Sequence, residues 1–94
     1  MGVIKSFADK QTKVLFKTGK SRRWSSVARV ALRKLVRINS AVTVTELNSP
    51  PGNRLEALKG DRAGQYSIRI DDRWRICFRW QHDGVYDVEI VDYH

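Results

Sequence analysis

The chain has 94 residues, enough for one small domain with one core, spanning residues 1–94. A hydrophobic content of 41% excludes a disordered chain, and no apolar run is long enough to cross a membrane, so no membrane partner is expected. Eighteen Lys and Arg against ten Asp and Glu leave a formal charge of +8, which favours a polyanion as partner.

The single cysteine excludes an internal disulfide and suits a reducing cytoplasm. The opening residues are too few and too quickly charged for a signal peptide. No His/Cys cluster has metal-ligand spacing. Neither metal nor cofactor is expected.

In chain order, residues 3–8 read as a short strand. Asp9 is a good N-cap for a helix over residues 10–17, and Gly19 a natural stop. Lys10, Lys13, Lys17 and Lys20 recur at helical spacing and make a cationic stripe. A second helix is predicted over residues 24–38, with Trp24, Val27, Ala31, Leu35 and Ile38 as its apolar stripe. Arg22, Arg29, Arg33 and Arg37 line another face. Either cationic stripe suits nucleic acid or plain solvation. Residues 40–48 read as a loop with a helical turn, and residues 49–53 as a break.

Strands follow: a short one over residues 54–58, then residues 65–70, 74–80 and 85–93 as a meander. The order gives an α+β fold, two N-terminal helices packed on a mostly antiparallel sheet.

Alternation sets the register. Ile68, Ile70, Trp74, Ile76, Phe78 and Trp80 should face the core. A two-residue turn at Asp71-Asp72 would put the apolar sets on opposite faces. A three-residue loop, 71–73, pairs Ile68 with Ile76, so burial selects the odd loop. Arg69 and Arg75 then oppose each other on the outer face. In the next hairpin, Tyr86, Val88 and Ile90 should share the core face. A loop over residues 81–85 achieves that, pairing Arg79 with Asp87 and Arg75 with Val91. Tyr93 then lies diagonal to Arg75, so Arg69, Arg75 and Tyr93 converge on one face.

The chain ends in Asp92-Tyr93-His94: an acid, a phenol and an imidazole, beside a basic aromatic strand that includes Arg73, Trp74 and Arg75. Near arginines these groups form a set for acid–base work on a phosphodiester. His82, in a turn, and Cys77, with no activating base, are poor catalytic candidates. Glu56 and Lys59 alone are ambiguous.

The segments Arg54-Leu55-Glu56-Ala57-Leu58-Lys59-Gly60-Asp61, Gly64-Gln65-Tyr66-Ser67-Ile68, Arg73-Trp74-Arg75-Ile76-Cys77-Phe78 and Val91-Asp92-Tyr93-His94 occur in order and at characteristic spacing. In this the chain resembles the HigB toxins of the RelE/ParE superfamily of toxin–antitoxin systems, over most of its length. The resemblance implies a RelE-like fold and a ribosome-dependent messenger-RNA endonuclease that cuts in the ribosomal A site without metal. It also implies a HigA-like helix-turn-helix antitoxin, with operator DNA reached only through the toxin–antitoxin complex.

Carried over residue by residue, Glu56, Lys59, Arg75, Asp92, Tyr93 and His94 fall where that family places its active-site groups. The family often has histidine where this chain has Glu56, though related toxins use glutamate there, so the general base stays open between Glu56 and Asp92. His94 would be the acid, Lys59 and Arg75 would hold the phosphate, and Tyr93 would stack on a base. Lys10, Lys13, Lys17, Arg69 and Arg73 are the RNA-binding candidates. The alternatives are a non-catalytic basic RNA- or DNA-binding module and a gyrase-poisoning toxin of the same superfamily.

Overall fold

The structure, a computed structural model, describes residues 3–92. Helix α1 spans Lys10–Thr18 and is capped as its sequence requires. Asp9 accepts from the Thr12 amide at 2.6 Å, and Gly19 closes the helix in the left-handed region at φ 76°. The Gly19 amide returns to the Leu15 carbonyl at 2.8 Å. Thr12 is itself buried. Its hydroxyl donates to Asp9 and accepts from the Ile90 amide at 3.2 Å, which fastens α1 to the sheet.

Helix α2 spans Ala28–Ser40, starting four residues later than the apolar stripe suggests. The reason is local: the Ser21 hydroxyl takes the Trp24 amide at 3.0 Å and the Val27 amide closes on the Trp24 carbonyl, so residues before Ala28 turn rather than coil. The stripe itself holds. Trp24, Ala31, Leu35 and Ile38 are buried, and Val27 packs partly against them. Short 3₁₀ turns at Val44–Asn48, Pro51–Asn53 and Gly60–Arg62 punctuate the middle of the chain.

The sheet is antiparallel in the order β1 (Glu56–Ala57), β2 (Tyr66–Arg69), β3 (Trp74–Gln81), β4 (Gly84–Asp92). The predicted strand over 54–58 shrinks to two residues, because Arg54 adopts the left-handed region at φ 46°. Residues 3–8 do not form a named strand. They run parallel to β4 in two isolated bridges, Ile4 with Val85 and Phe7 with Val88.

The β2–β3 register agrees with the parity argument: Ile68 pairs with Ile76 and Arg69 with Arg75. The β3–β4 hairpin differs. Its turn is His82-Asp83, with Gln81 opposite Gly84, Trp80 opposite Val85 and Arg79 opposite Tyr86. One extra residue on β4 then shifts the ladder between Cys77 and Arg79, and Asp87 takes φ 55°. This bulge restores parity from a two-residue turn, so Arg75 still pairs with Val91 and Ile76 with Ile90. It also changes the core set. Val85 and Val88 are both fully buried. Tyr86 is instead half-buried, its hydroxyl donating to Asp83 at 2.9 Å. Arg79 and Asp87 do not pair directly, yet they meet as an ion pair at 3.2 Å across the bulge.

The core lies between the helices and one face of the sheet: Leu15, Leu35, Ile38, Ile68, Ile76 and Phe78 are fully buried in it. Among the described residues no helix is long and apolar enough to cross a membrane.

Candidate active site

The opposite face of β2 and β3 carries Ser67, Arg69, Arg75 and Cys77. Alternation alone makes this a solvated surface, but Ser67 and Cys77 are fully buried and Arg75 is only 6% exposed. Burial pushes the Cys77 thiol above its ordinary range, so it is a poor nucleophile.

A buried guanidinium needs acceptors. Arg75 donates from Nε to Ser67 Oγ at 2.8 Å, and from Nη2 to the Arg54 carbonyl at 2.7 Å and the Ser67 carbonyl at 3.3 Å. The left-handed turn at Arg54 follows the Pro51–Asn53 turn and delivers that carbonyl. Glu56 Oε1 lies 3.7 Å from Arg75 Nη2. Arg69, opposite Arg75, turns instead to Asp72. Like charges in register are thereby separated, each by its own carboxylate.

Asp71 shapes the loop that sets this register. Its Oδ1 accepts from the Trp74 amide at 2.8 Å and the Arg73 amide at 2.9 Å. The Trp74 amide above all holds the Asp71 carboxyl below its ordinary value. Together Arg54, Glu56, Arg69, Asp71, Asp72 and Arg75 line an open depression of about 290 Å³.

Three of the residues singled out from sequence, Glu56, Arg69 and Arg75, therefore share one hollow. Lys59 does not line it; it is exposed, at the N-terminal cap of the Gly60–Arg62 turn. Asp92 lies opposite Trp74, one step along β4 from Val91, the partner of Arg75. Arg73 holds it: Nε to Asp92 Oδ2 is 3.0 Å, and the Arg73 guanidinium sits 4.6 Å over the Trp74 ring. Tyr93 and His94 lie outside the described residues. Lys10, Lys13 and Lys17 are exposed on α1 and, with Lys5, line a groove of about 560 Å³ against the N-terminal segment.

Two residues escaped the sequence reading. One is Arg54, whose carbonyl anchors Arg75. The other is Lys34, whose Nζ donates to the Arg69 carbonyl at 2.6 Å and to Asn53 Oδ1 at 2.8 Å. Desolvation, then Arg33, Arg69 and Arg75, hold its ammonium below the ordinary 10.5. A signal existed: Lys34 stands three residues after Ala31 and four before Ile38, on the flank of the apolar stripe, where a long stem can reach the sheet. Among the described residues, no group of three or more His, Cys, Asp or Glu is placed to hold a metal ion.

Residues 5–94 match the HigB-like toxin family, described as RelE-like toxins of type II toxin–antitoxin systems. The toxin HigB-1 of Vibrio cholerae serotype O1 is 37% identical over 81 residues, covering 84% of each chain. The endoribonuclease HigB of Proteus vulgaris is 37% identical over 94 residues, covering 98% of this chain and 100% of that one. In a crystal structure of the heterotetrameric YoeB–YefM toxin–antitoxin complex from Staphylococcus aureus, the matching chain superposes with a TM-score of 0.58. Identity is 15%, with 100% of this chain and 98% of that chain covered. A YoeB dimer from the same organism gives 0.57, at 15% identity and 99% and 97% coverage. At that identity the likeness is one of fold: two helices against a four-stranded antiparallel sheet. With a match from residue 5 to residue 94 and relatives at 37% identity along nearly their whole length, this chain belongs to the HigB family of RelE-like toxins of type II toxin–antitoxin systems.

Proposed function

We propose that this toxin is an endoribonuclease that cuts messenger RNA in the ribosomal A site, and that the Arg75 hollow is where the scissile phosphate sits. Arg75 carries the proposal. It is a nearly buried guanidinium on the outer face, held by Ser67 and the Arg54 carbonyl, in contact with Glu56 at an open depression. A cation fixed in advance by protein acceptors stabilises developing negative charge without reorganising. The name of the Proteus vulgaris relative supports the same activity.

The reaction is transesterification. The ribose 2′-oxygen attacks the adjacent phosphorus, the bond from phosphorus to the 5′-oxygen breaks, and a 2′,3′-cyclic phosphate and a 5′-hydroxyl result. A base removes the 2′-OH proton and an acid protonates the leaving 5′-oxygen. Glu56, half-exposed beside Arg75, is the better placed base. Asp92 is held by Arg73 at the end of β4. His94 is the acid, Tyr93 orients a base, Lys59 supplies a further cation, and Arg69 and Arg73 contact RNA. Lys10, Lys13 and Lys17 meet ribosomal RNA.

As a toxin of this type, the protein has an antitoxin partner. A HigA-like helix-turn-helix protein that carries the complex to operator DNA is the form we propose.

Primer extension on transcripts after induction of the toxin alone tests the activity. Cuts inside translated regions are expected. Intact transcripts with accumulating double-strand DNA breaks would mean gyrase poisoning instead. Single-turnover cleavage on programmed ribosomes tests the roles: Glu56→Gln and removal of His94 should each slow the chemical step by about 10²–10³. Full-rate cleavage by either variant would remove that group from the mechanism.

A further inference from the structure

A second depression, of about 250 Å³, lies between α2 and the 49–53 corner. Arg33, Lys34 and Arg37 line it from the helix, and Ser49, Pro50 and Asn53 from the corner. The two depressions differ in charge. The first sets Arg54, Arg69 and Arg75 against Glu56, Asp71 and Asp72. The second is lined by three cations and no carboxylate. Glu46 Oε2 accepts from the Thr43 and Val42 amides, and those bonds hold it in the charged form. Arg37 reaches the Glu46 carbonyl at 3.5 Å, and its charge adds a smaller contribution to holding that carboxylate ionised.

The two depressions have consecutive residues of one corner in their walls. Asn53 lines the second and Arg54, next in the chain, lines the first. Lys34 pins that corner, holding Asn53 on one side and the carbonyl of Arg69 on the other. An ammonium has three donors, and these two bonds use two of them. Arg33 and Arg37, one helical turn apart, present exposed guanidinium groups on the same rim. Pro50 adds an apolar surface of the kind a ribose or base rests on.

We propose that this α2 groove is a phosphate subsite for the substrate RNA strand, so that a single strand crosses the Asn53–Arg54 corner with its scissile phosphate in the Arg75 hollow and a flanking phosphate on Arg33, Lys34 and Arg37. The inference rests on the endoribonuclease reading and extends it. It assigns this face of α2 to the substrate strand, while the α1 lysines face the ribosome. Burial first, and then repulsion from Arg33, Arg69 and Arg75, holds the Lys34 ammonium below its ordinary value; an anion here relieves the repulsive part.

The test uses single-stranded RNA of about a dozen nucleotides, with a 2′-deoxy sugar blocking the cut, bound at low salt to the purified toxin. Neutral methylphosphonate linkages replace one phosphate at a time. In the wild type, one position flanking the blocked linkage should lose several-fold in affinity. The doubly substituted Arg33→Gln, Arg37→Gln protein should be indifferent to that position and should lose about 0.7 from its salt slope, for one phosphate on a single strand. Both side chains are exposed, so circular dichroism should be unchanged; each single substitution provides the same readout at half the size. A variant as sensitive as wild type at every position would overturn the subsite. So would a variant that loses affinity only for a ribosomal RNA fragment. Failure of the endoribonuclease reading is separable: the oligonucleotide would still map to the groove, while wild-type toxin left transcripts uncut.

Discussion

Arg75 combines two demands in one side chain. Its guanidinium holds β2 to the Arg54 corner and also presents positive charge to the hollow. Replacing it therefore does more than remove the cation proposed to hold the phosphate. Arg75→Ala leaves the buried Ser67 hydroxyl without this partner, at about 1–3 kcal/mol, and frees the Arg54 carbonyl. Arg75→Lys is the more informative change: it keeps the charge and loses the fork that reaches both acceptors. Cleavage on programmed ribosomes is expected to fall by about 10² or more, with a lower melting temperature. A lysine variant with wild-type rate would show that charge alone, without its placement, suffices.

Asp71 makes the neighbouring loop sensitive to acid. Its folded-state value lies below the ordinary 3.8 because the Trp74 and Arg73 amides favour the carboxylate. A depressed carboxylate stabilises the fold fully above 3.8, and this contribution is lost as pH falls through the lower folded value. Asp71→Asn keeps an acceptor and removes the titration. Melting temperature followed from pH 5 downward should fall less steeply in the variant than in the wild type. Parallel curves would place the acid sensitivity at another carboxylate.

At the scale of elements, the bulge in β4 decides how the N-terminal segment and the helices meet the sheet. Val85 and Val88, three apart, both reach the core, and residues 3–8 follow with bridges at Ile4 and Phe7, also three apart. A regular strand would have turned one of the two valines outward. Gly84, just before them, lies where the segment passes closest. A Cβ there would stand 2.6 Å from Lys5 Cγ and 2.8 Å from the Val3 carbonyl. The lysine stem can move; the carbonyl, bonded to the Val85 amide at 2.8 Å, cannot move without losing that bond. Gly84→Ala is expected to destabilise by about 1–3 kcal/mol, read as a shift in denaturant midpoint. Hydrogen exchange should accelerate at the Lys5 and Val85 amides first. Unchanged exchange there would mean that the segment has room to spare.

For the molecule as a whole, the +8 charge is distributed by structure into separate surfaces. Lys10, Lys13 and Lys17 stand on α1, the Arg75 hollow lies on the far side of the sheet from the core, and the α2 groove lies between that helix and the 49–53 corner. Charge reversal at the three α1 lysines together should weaken ribosome binding and flatten its dependence on salt by about 2–3 in slope, with the fold intact. Cleavage by ribosome-bound toxin, once saturated, should be nearly unchanged, since none of the three lines the Arg75 hollow. An unchanged salt slope would make this stripe a solvated surface only.

Some of this was legible in the sequence, because it depends on neighbours in the chain or on parity. Asp9 and Gly19 bound α1 by chemistry that acts within one turn. The α2 stripe follows from helical spacing. The odd loop at 71–73 follows from keeping Ile68 and Ile76 on one face, and it puts Arg69 opposite Arg75. The same argument failed at the next hairpin because a bulge can mend the parity of a short turn. Which solution is adopted depends on what packs against β4, here the N-terminal segment some eighty residues away. Only the tertiary structure turned the outer face of Arg75 into a buried site, by folding the Arg54 corner over it. Only the tertiary structure drew Lys34 out of a row of helix cations to hold that corner. Alternation reports which face a side chain takes; whether that face is covered depends on distant chain, and no local pattern encodes it.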